Sequence, residues 1–549
     1  MLHARRCLSL LAVLVCGACS GGGPAQAPPA TASGPATPQP AVYVPQAQYC
    51  VNTSVGTLCS TIPGNIGPDP ILDEKVAYNG IVGNRPTSAA TDAQTPFDNL
   101  SWQTFVALNW TKGKETLPPQ QGLQGNGTRV WESWKRVSSV FGNSTNLAKC
   151  QVPVGMPVFQ IGSDGKGKPV GQNEEYIQAA TGDPAIDVAG NWTLYERRLN
   201  DIEITYLNAP SGNLAWNLAT WNGQGAFIKA GQTVNFPSYA PPPFPTGAIE
   251  IKAAWRILNP AQREVNATKY YVISAMLTVA PDLVLPPPGI GPQPICAQVD
   301  LGLVAMHIIQ KNIDSKNNLR QQWFWSTFEH VDNVPMAQQA CNPAEPTTCK
   351  TLGQLACPAQ PVLGVDYSYY NTACPNCPTN QPPDAHTTGP QFVWNTKQPY
   401  ARDYLRTAQV NGKPVTVGTQ ISRCWDTYSL TKDLNAQWRN QLRAVNSVFQ
   451  NYMLVGTQWG GVLTSTPDPR LPPQVVPNFL SNSIVETYLQ TMADPKNPFN
   501  NGSCVTCHLA ATLKYDGKTP SNLSFLPDLV KPNLVRRDPI PPQTTTSSQ

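Results

Sequence analysis

Charge is scarce in this chain. Lys, Arg, Asp and Glu make up 13% of the 549 residues, and the formal net charge is +4, to which Arg5 and Arg6 near the start contribute two. A strongly basic face able to grip a phosphate backbone is therefore missing, which argues against nucleic acid as a partner. Several signatures are also missing: the Gly-rich phosphate loops, the Gly-x-Ser-x-Gly turn of serine hydrolases and the His-Glu-x-x-His helix of zinc peptidases. There is no repeat of fixed period. Residues 8–15 form an apolar run too short to span a bilayer as a helix. His is rare, five in all, and neither His nor Met follows His508.

What is there begins near the end of the chain. "CVTCH", residues 504–508, places two thiols three positions apart and an imidazole next to the second. Each thiol can add across a vinyl group of heme, and the imidazole can turn onto the iron. Random placement of 15 Cys and 5 His would give about 0.004 copies of this pentad. A structural disulfide beside a chance His is the competing reading, since closed Cys-x-x-Cys pairs occur in exported proteins. We take Cys504 and Cys507 as the covalent attachment points of one heme c and His508 as the proximal ligand of its iron.

The other end carries an address. "MLHARRCLSLLAVLVCGACSGGG" has two arginines, an apolar run and then small residues, the layout of a secretory signal peptide over residues 1–18. "CGAC", with Cys16 where the usual pattern has Leu or Val, resembles the lipobox of bacterial lipoproteins. The resemblance implies lipidation of Cys19, and Ser20 behind it implies sorting to the outer membrane. Residues 19–45 are Pro, Ala, Gly and Thr with no apolar periodicity, a tether between a lipid anchor and a folded body.

Export fits the remaining cysteines. Setting aside Cys7, Cys16, Cys19, Cys504 and Cys507 leaves ten, an even number that an oxidising compartment would pair into up to five disulfides. Cys50 with Cys59 is the first pair expected. "CPNC", residues 374–377, has thioredoxin-like spacing but no strand-to-helix pattern around it, so it reads as structural.

Between the ends, residues 46–430 read as a β-rich body and residues 431–549 as a helical heme-binding segment. "PFDNLSWQTFVALNW" predicts a packed helix behind Asp98 or Asn99 as cap. "GAIEIKAAWRIL", "TKYYVISAMLTV" and "DLGLVAMHII" predict strands, separated by Pro-laden loops such as "LPPPGIGPQP". Leu434, Trp438, Leu442, Val445, Phe449 and Tyr452 then recur at helical spacing behind Asp433, and "SNSIVETYLQTM" predicts a second, shorter helix. The expected fold is α+β: an antiparallel, sandwich-like β body with long Pro-rich loops, plus a helical, cytochrome c-like C-terminal segment.

"CVTCH" with "LAATLKY" behind it resembles the c-type cytochromes. Small members of that family place the motif near their start and supply an axial Met downstream. Here 41 residues follow His508, so the second axial position is filled from upstream or left open. Met453 and Met492 are the nearest candidates; His307, His330, His386, Tyr452 and Tyr488 are the others. If residues 312–322 are the turn of a hairpin, His307 and His330 stand opposite each other, with Asp332 sharing the parity of His330. They could then form an acid–base or metal pair beside the heme.

Taken together, the expected protein is a lipid-anchored, envelope-facing, single-heme c-type cytochrome exchanging single electrons with a redox partner protein or a small molecule. The alternative is a heme-dependent oxidoreductase, peroxidase- or oxygenase-like, with its substrate on the β body and His307 or His330 as catalytic groups. Cys19→Ala should shift the protein from the membrane to the soluble fraction, and a variant still bound after fractionation contradicts the anchor.

Overall fold

The computed structural model describes residues 50–52, 57–63, 81–82, 85–86, 88–142, 146–169, 175–178, 181–208, 216–238, 246–313, 321–341, 357–385, 390–460, 475–476, 479–490 and 502–532. The runs rich in β-branched and aromatic residues become the centre of one nine-stranded sheet. Its strands are β1 (Lys135–Arg136), β2 (Val158–Ile161), β3 (Leu194–Leu199), β4 (Ile249–Ile257), β5 (Val272–Val279), β6 (Ile295–Ile313), β7 (Gln321–His330), β8 (Tyr452–Gly460) and β9 (Val475–Val476). They lie in the order β9-β8-β7-β6-β4-β3-β1. The first part of the long β6 pairs with β5, and β2 joins β5 as the one parallel neighbour in this sheet. The other described sheets have two or three strands, so the body is one large sheet rather than a sandwich of two.

Period-2 alternation divides the side chains between two faces. Ile249, Ile251, Ala253 and Trp255 of β4, Met306 and Ile308 of β6 and Phe328 of β7 go to the first face, the larger core. Two helices close it: α1 (Ser88–Leu108) and α4 (Ser429–Ala444). Between them in sequence lie α2 (Asp201–Asn208) and α3 (Trp221–Lys229), which pack on the second face, and α5 (Cys504–His508) follows near the end. Among the described residues no helix is long and apolar enough to cross a membrane.

Aromatic rings lock the two closing helices to the first face. Trp102 of α1 stacks on Trp438 of α4 at 5.9 Å, and Phe105 stacks on Phe328 at 4.1 Å. Asn435 ties three elements, accepting from Trp102 Nε1 at 2.9 Å and donating to the Leu454 carbonyl at 2.8 Å. The expected cap Asp98 lies inside α1, which begins at Ser88. Its carboxylate accepts from Gln94 and Thr431, and burial pushes its pKa up to about 6.

Among the described residues after 431, one long helix is joined by strand and turns rather than by further long helices. α4 forms as its periodicity requires, but Tyr452 opens β8, a strand of the main sheet. "SNSIVETYLQTM" forms turns and a single 3-10 turn, Thr487–Leu489, over its described part. The reason is competition for the backbone: the Asn482 side chain accepts from Ile484 N and Val485 N and donates to Thr327 Oγ1 and the Phe328 carbonyl. "LAATLKY" is likewise turn and bridge, because Ala511 and Leu513 pair with Ser521 and Thr519 instead of extending α5.

Four disulfides join described residues: Cys50–Cys59, as expected, Cys150–Cys296, Cys357–Cys424 and Cys374–Cys377. Cys341 is also disulfide-bonded. The residues expected to form the signal peptide, the lipidated Cys19 and the tether lie outside the described residues. Because Phe105 is fully buried between two helices and the sheet, Phe105→Ala should destabilise the protein by about 3–5 kcal/mol in urea unfolding.

Candidate functional site

The pentad sits at the second face, and β8 builds its helix. Gln458, paired with Trp325 across the sheet, accepts from Val505 N at 2.9 Å and donates to Ser503 Oγ at 2.9 Å. A buried first-turn amide of this five-residue helix, which has no partner within the helix, is thereby satisfied from outside. Gly502 turns the chain into it at φ +57°, with its carbonyl accepting from Leu480 N, and a Cβ there would fall 2.8 Å from Ser481 Oγ. Val505 is buried against the same cluster as Trp325 and leaves Cys504, Cys507 and His508 half-buried.

Cys504 and Cys507 are free thiols. Burial and the nearby Glu486 charge push both above the ordinary thiol value, so they are neutral at physiological pH. The other Cys-x-x-Cys of the described chain, Cys374 with Cys377, is closed.

His508 is oriented by backbone. Its Nδ1 lies 2.7 Å from the Leu523 carbonyl, which can only accept, so Nδ1 carries the proton and Nε2 presents a lone pair. Burial pushes its pKa down to about 4. Trp325 and Phe525 flank the ring at centroid distances of 5.6 and 5.0 Å. The carbonyl is held in place at a conformational cost: Asn522 and Leu523 both have positive φ, 55° and 69°, which is rare for Leu. Asn522 supports this turn by accepting from Lys311 Nζ, Phe236 N and Trp323 Nε1.

His307 lies on the same face as Trp325, one strand away, and its Nε2 is 2.8 Å from Glu486 Oε1. Burial pushes the Glu486 carboxyl up, but the charge and hydrogen bond of His307 and the charge of Lys252 outweigh it and hold it below the ordinary value. The charges of His307, Glu486 and Lys252 all reach His508. The pentad and His307 are thus brought together, although nearly 200 residues separate them.

His330 is not part of this group. The hairpin pairs His307 with Thr327, three residues short of His330, so the odd offset sends His330 to the first face. There its Nε2 donates to the Lys269 carbonyl at 2.8 Å and its Nδ1 accepts from Asp332 N at 3.1 Å, which occupies both nitrogens. Asp332 pairs with Lys269 at 3.7 Å. Among the described residues no three His, Cys, Asp or Glu side chains converge on a metal-sized site. Met453 pairs with Glu329, four residues along β7 from Trp325, about 13 Å. Tyr452 and Tyr488 spend their hydroxyls on the carbonyls of Leu303 and Pro184. Met492 and His386 lie outside the described residues.

These residues suit a covalently held heme: two neutral thiols at the right spacing, an imidazole with Nε2 available, and aromatic walls. The sequence alone does not single out Leu523, Phe525, Gln458, Glu486 or Trp325.

His330 titrates far below its unfolded value, near pH 3 against about 6.5. Below pH 6.5 the unfolded chain gains a proton there that the native chain refuses, so stability falls as pH drops from 6.5 towards 3. His330→Gln should flatten that fall in urea midpoints measured between pH 7 and 4, with heme content unchanged. No protein-family model, no curated protein and no solved structure matches this chain.

Proposed function

We propose that the protein is a c-type cytochrome of the cell envelope, carrying one covalently attached heme and passing single electrons. One observation carries the reading: of the two Cys-x-x-Cys pairs among the described residues, the one followed by His stays open while the other is a disulfide. In an exported chain whose other described cysteines pair, an open pair beside an oriented imidazole is what heme attachment needs.

The heme, when bound, supplies one-electron exchange between ferrous and ferric iron. The chain's residues do the rest. Cys504 and Cys507 would hold the macrocycle through thioether bonds to its two vinyl groups, an addition that would need no net oxidation. His508 offers Nε2 to the iron, and the hydrogen bond from its Nδ1 to the Leu523 carbonyl fixes the ring and raises its basicity. Trp325 and Phe525 keep water off the ring. Of the described candidates for a second iron donor, His307 and Met453 share the face of the pentad, and His307 would be the nearer, since Met453 lies about 13 Å along the sheet from Trp325. Export, a lipid anchor at Cys19 and exchange with a redox partner protein or small molecule complete the proposal.

A second reading, a heme-dependent oxidoreductase, is favoured by the His307–Glu486 pair. A His paired with a carboxylate can move protons at a substrate, provided the iron has an open position. Spectra of the protein matured in a host that attaches heme c separate the two. Electron transfer predicts a six-coordinate low-spin heme indifferent to carbon monoxide, lost in His508→Ala; a high-spin heme that binds carbon monoxide favours the enzyme. A colourless product with the mass of bare polypeptide refutes both.

A further inference from the structure

Beside the pentad, on the same face of the sheet, two carboxyl groups meet without donors. Glu203 of α2 is fully buried, and neither of its carboxyl oxygens has a hydrogen-bond partner. Glu250 of β4 is within hydrogen-bond reach of it; one Glu250 oxygen takes the Ser524 hydroxyl, and the other, Oε1, is buried without a partner. Asn200 makes the meeting obligatory. Its Oδ1 accepts from Glu203 N at 3.0 Å, capping α2, and from Ile249 N at 3.2 Å, beside Glu250.

Two ionised carboxylates so placed would combine buried, unpartnered charge with like-charge repulsion. A single proton between them removes one charge and joins one oxygen of each carboxyl in a hydrogen bond that neither can make while both are ionised. The surrounding cations do not substitute for it. Arg197 acts on Glu250 from β3 but is paired with Glu175 at 3.6 Å. Lys252 lies over the Tyr195 ring, and Lys311 of β6 donates to Asn235 and Asn522. Asp201 of α2 is exposed. Glu250 keeps partial exposure, which gives the proton a route to water.

We propose that Glu203 and Glu250 form a proton-binding site that holds one shared proton at neutral pH, and that this proton is linked to the charge at the iron bound by His508. The second half rests on the heme reading. Two paths make the link. Ser524, which donates to Glu250, directly follows Leu523, whose carbonyl holds His508. Glu250 is also two strand spacings from Trp325 through Ile309, about 10 Å, and Trp325 lies against His508. A unit charge at that range in a protein interior shifts an equilibrium about tenfold. Reduction of the iron by an external electron donor is then accompanied by retention or uptake of a proton from water at the carboxyl pair.

The test compares the heme-loaded wild type with Glu203→Gln, whose amide donates to Glu250 without a titrating proton. Burial raises both carboxyls; Glu250 raises Glu203 further, while Ser524, Glu203 and Arg197 offset only part of the rise at Glu250, so the native pair holds a proton that the unfolded chain releases. Wild-type stability should therefore fall as pH rises above the ordinary carboxyl range, by up to tenfold in the folding constant per pH unit, and the variant should lack this fall. The infrared band of a protonated carboxyl should be present in the wild type at neutral pH and absent from the variant. Parallel stability profiles, or no such band, overturn the shared proton; if Glu203→Gln does not fold, the wild-type band and Glu250→Gln decide. The reduction midpoint should fall with pH in the wild type and be flat in the variant across the same window, and equal pH dependence in both overturns the link to iron. A chain that takes no heme refutes the heme reading, while stability and infrared still judge the carboxyl pair.

Discussion

The pairing of β6 with β7 decides which side chains can meet. With His307 opposite Thr327, every odd-numbered residue of β7 from Trp323 to Glu329 faces the pentad and every even-numbered one faces α1 and α4. A slip of one residue would exchange Trp325 for Phe324 or Ser326 beneath His508 and turn His307 into the aromatic core. The aromatic lock of Trp102, Phe105 and Phe328 prevents that slip, so packing on one face sets the chemistry available on the other.

That second face is more polar than a core usually is. It holds His307, Glu250, Lys252, Lys311 and Glu329, each answered by a residue from a covering segment or a neighbouring strand: Glu486, Ser524, Tyr195, Asn522 and Arg423 in turn. The cover itself is poor in regular structure. Residues 479–490 and 502–532 hold their shape by polar groups such as those of Asn482, Gln458 and Asn522 bonding to neighbouring segments rather than by burying a helix face.

What the sequence made legible follows from the range of the forces involved. The pentad is contiguous, so its spacing of two thiols and an imidazole is readable without a fold. Strands β4, β5 and β6 announce themselves by alternation or by β-branched content, and α4 by its 3.6-residue period. The pairing of His307 with His330 failed because hairpin register depends on partners on the sheet faces, which no spacing rule contains. The helix expected over "SNSIVETYLQTM" failed for a related reason: Asn482 and Ser483 find better partners on β7. In "GAIEIKAAWRIL", alternation correctly separates Glu250 and Lys252 from the core residues but cannot say that their face is covered too. Leu523 carries no signal at all, since nothing in a leucine announces a left-handed backbone.

The central claim is that the open thiols of Cys504 and Cys507 are kept for a porphyrin, with His508 aimed at its iron by a backbone carbonyl. A crystal structure of the exported protein, matured where heme c is attached, tests this most directly. It should show both sulfurs bonded to the macrocycle, His508 Nε2 on the metal and Nδ1 still on the Leu523 oxygen. A Cys504–Cys507 disulfide in that crystal, with no cofactor against Trp325, would contradict the account.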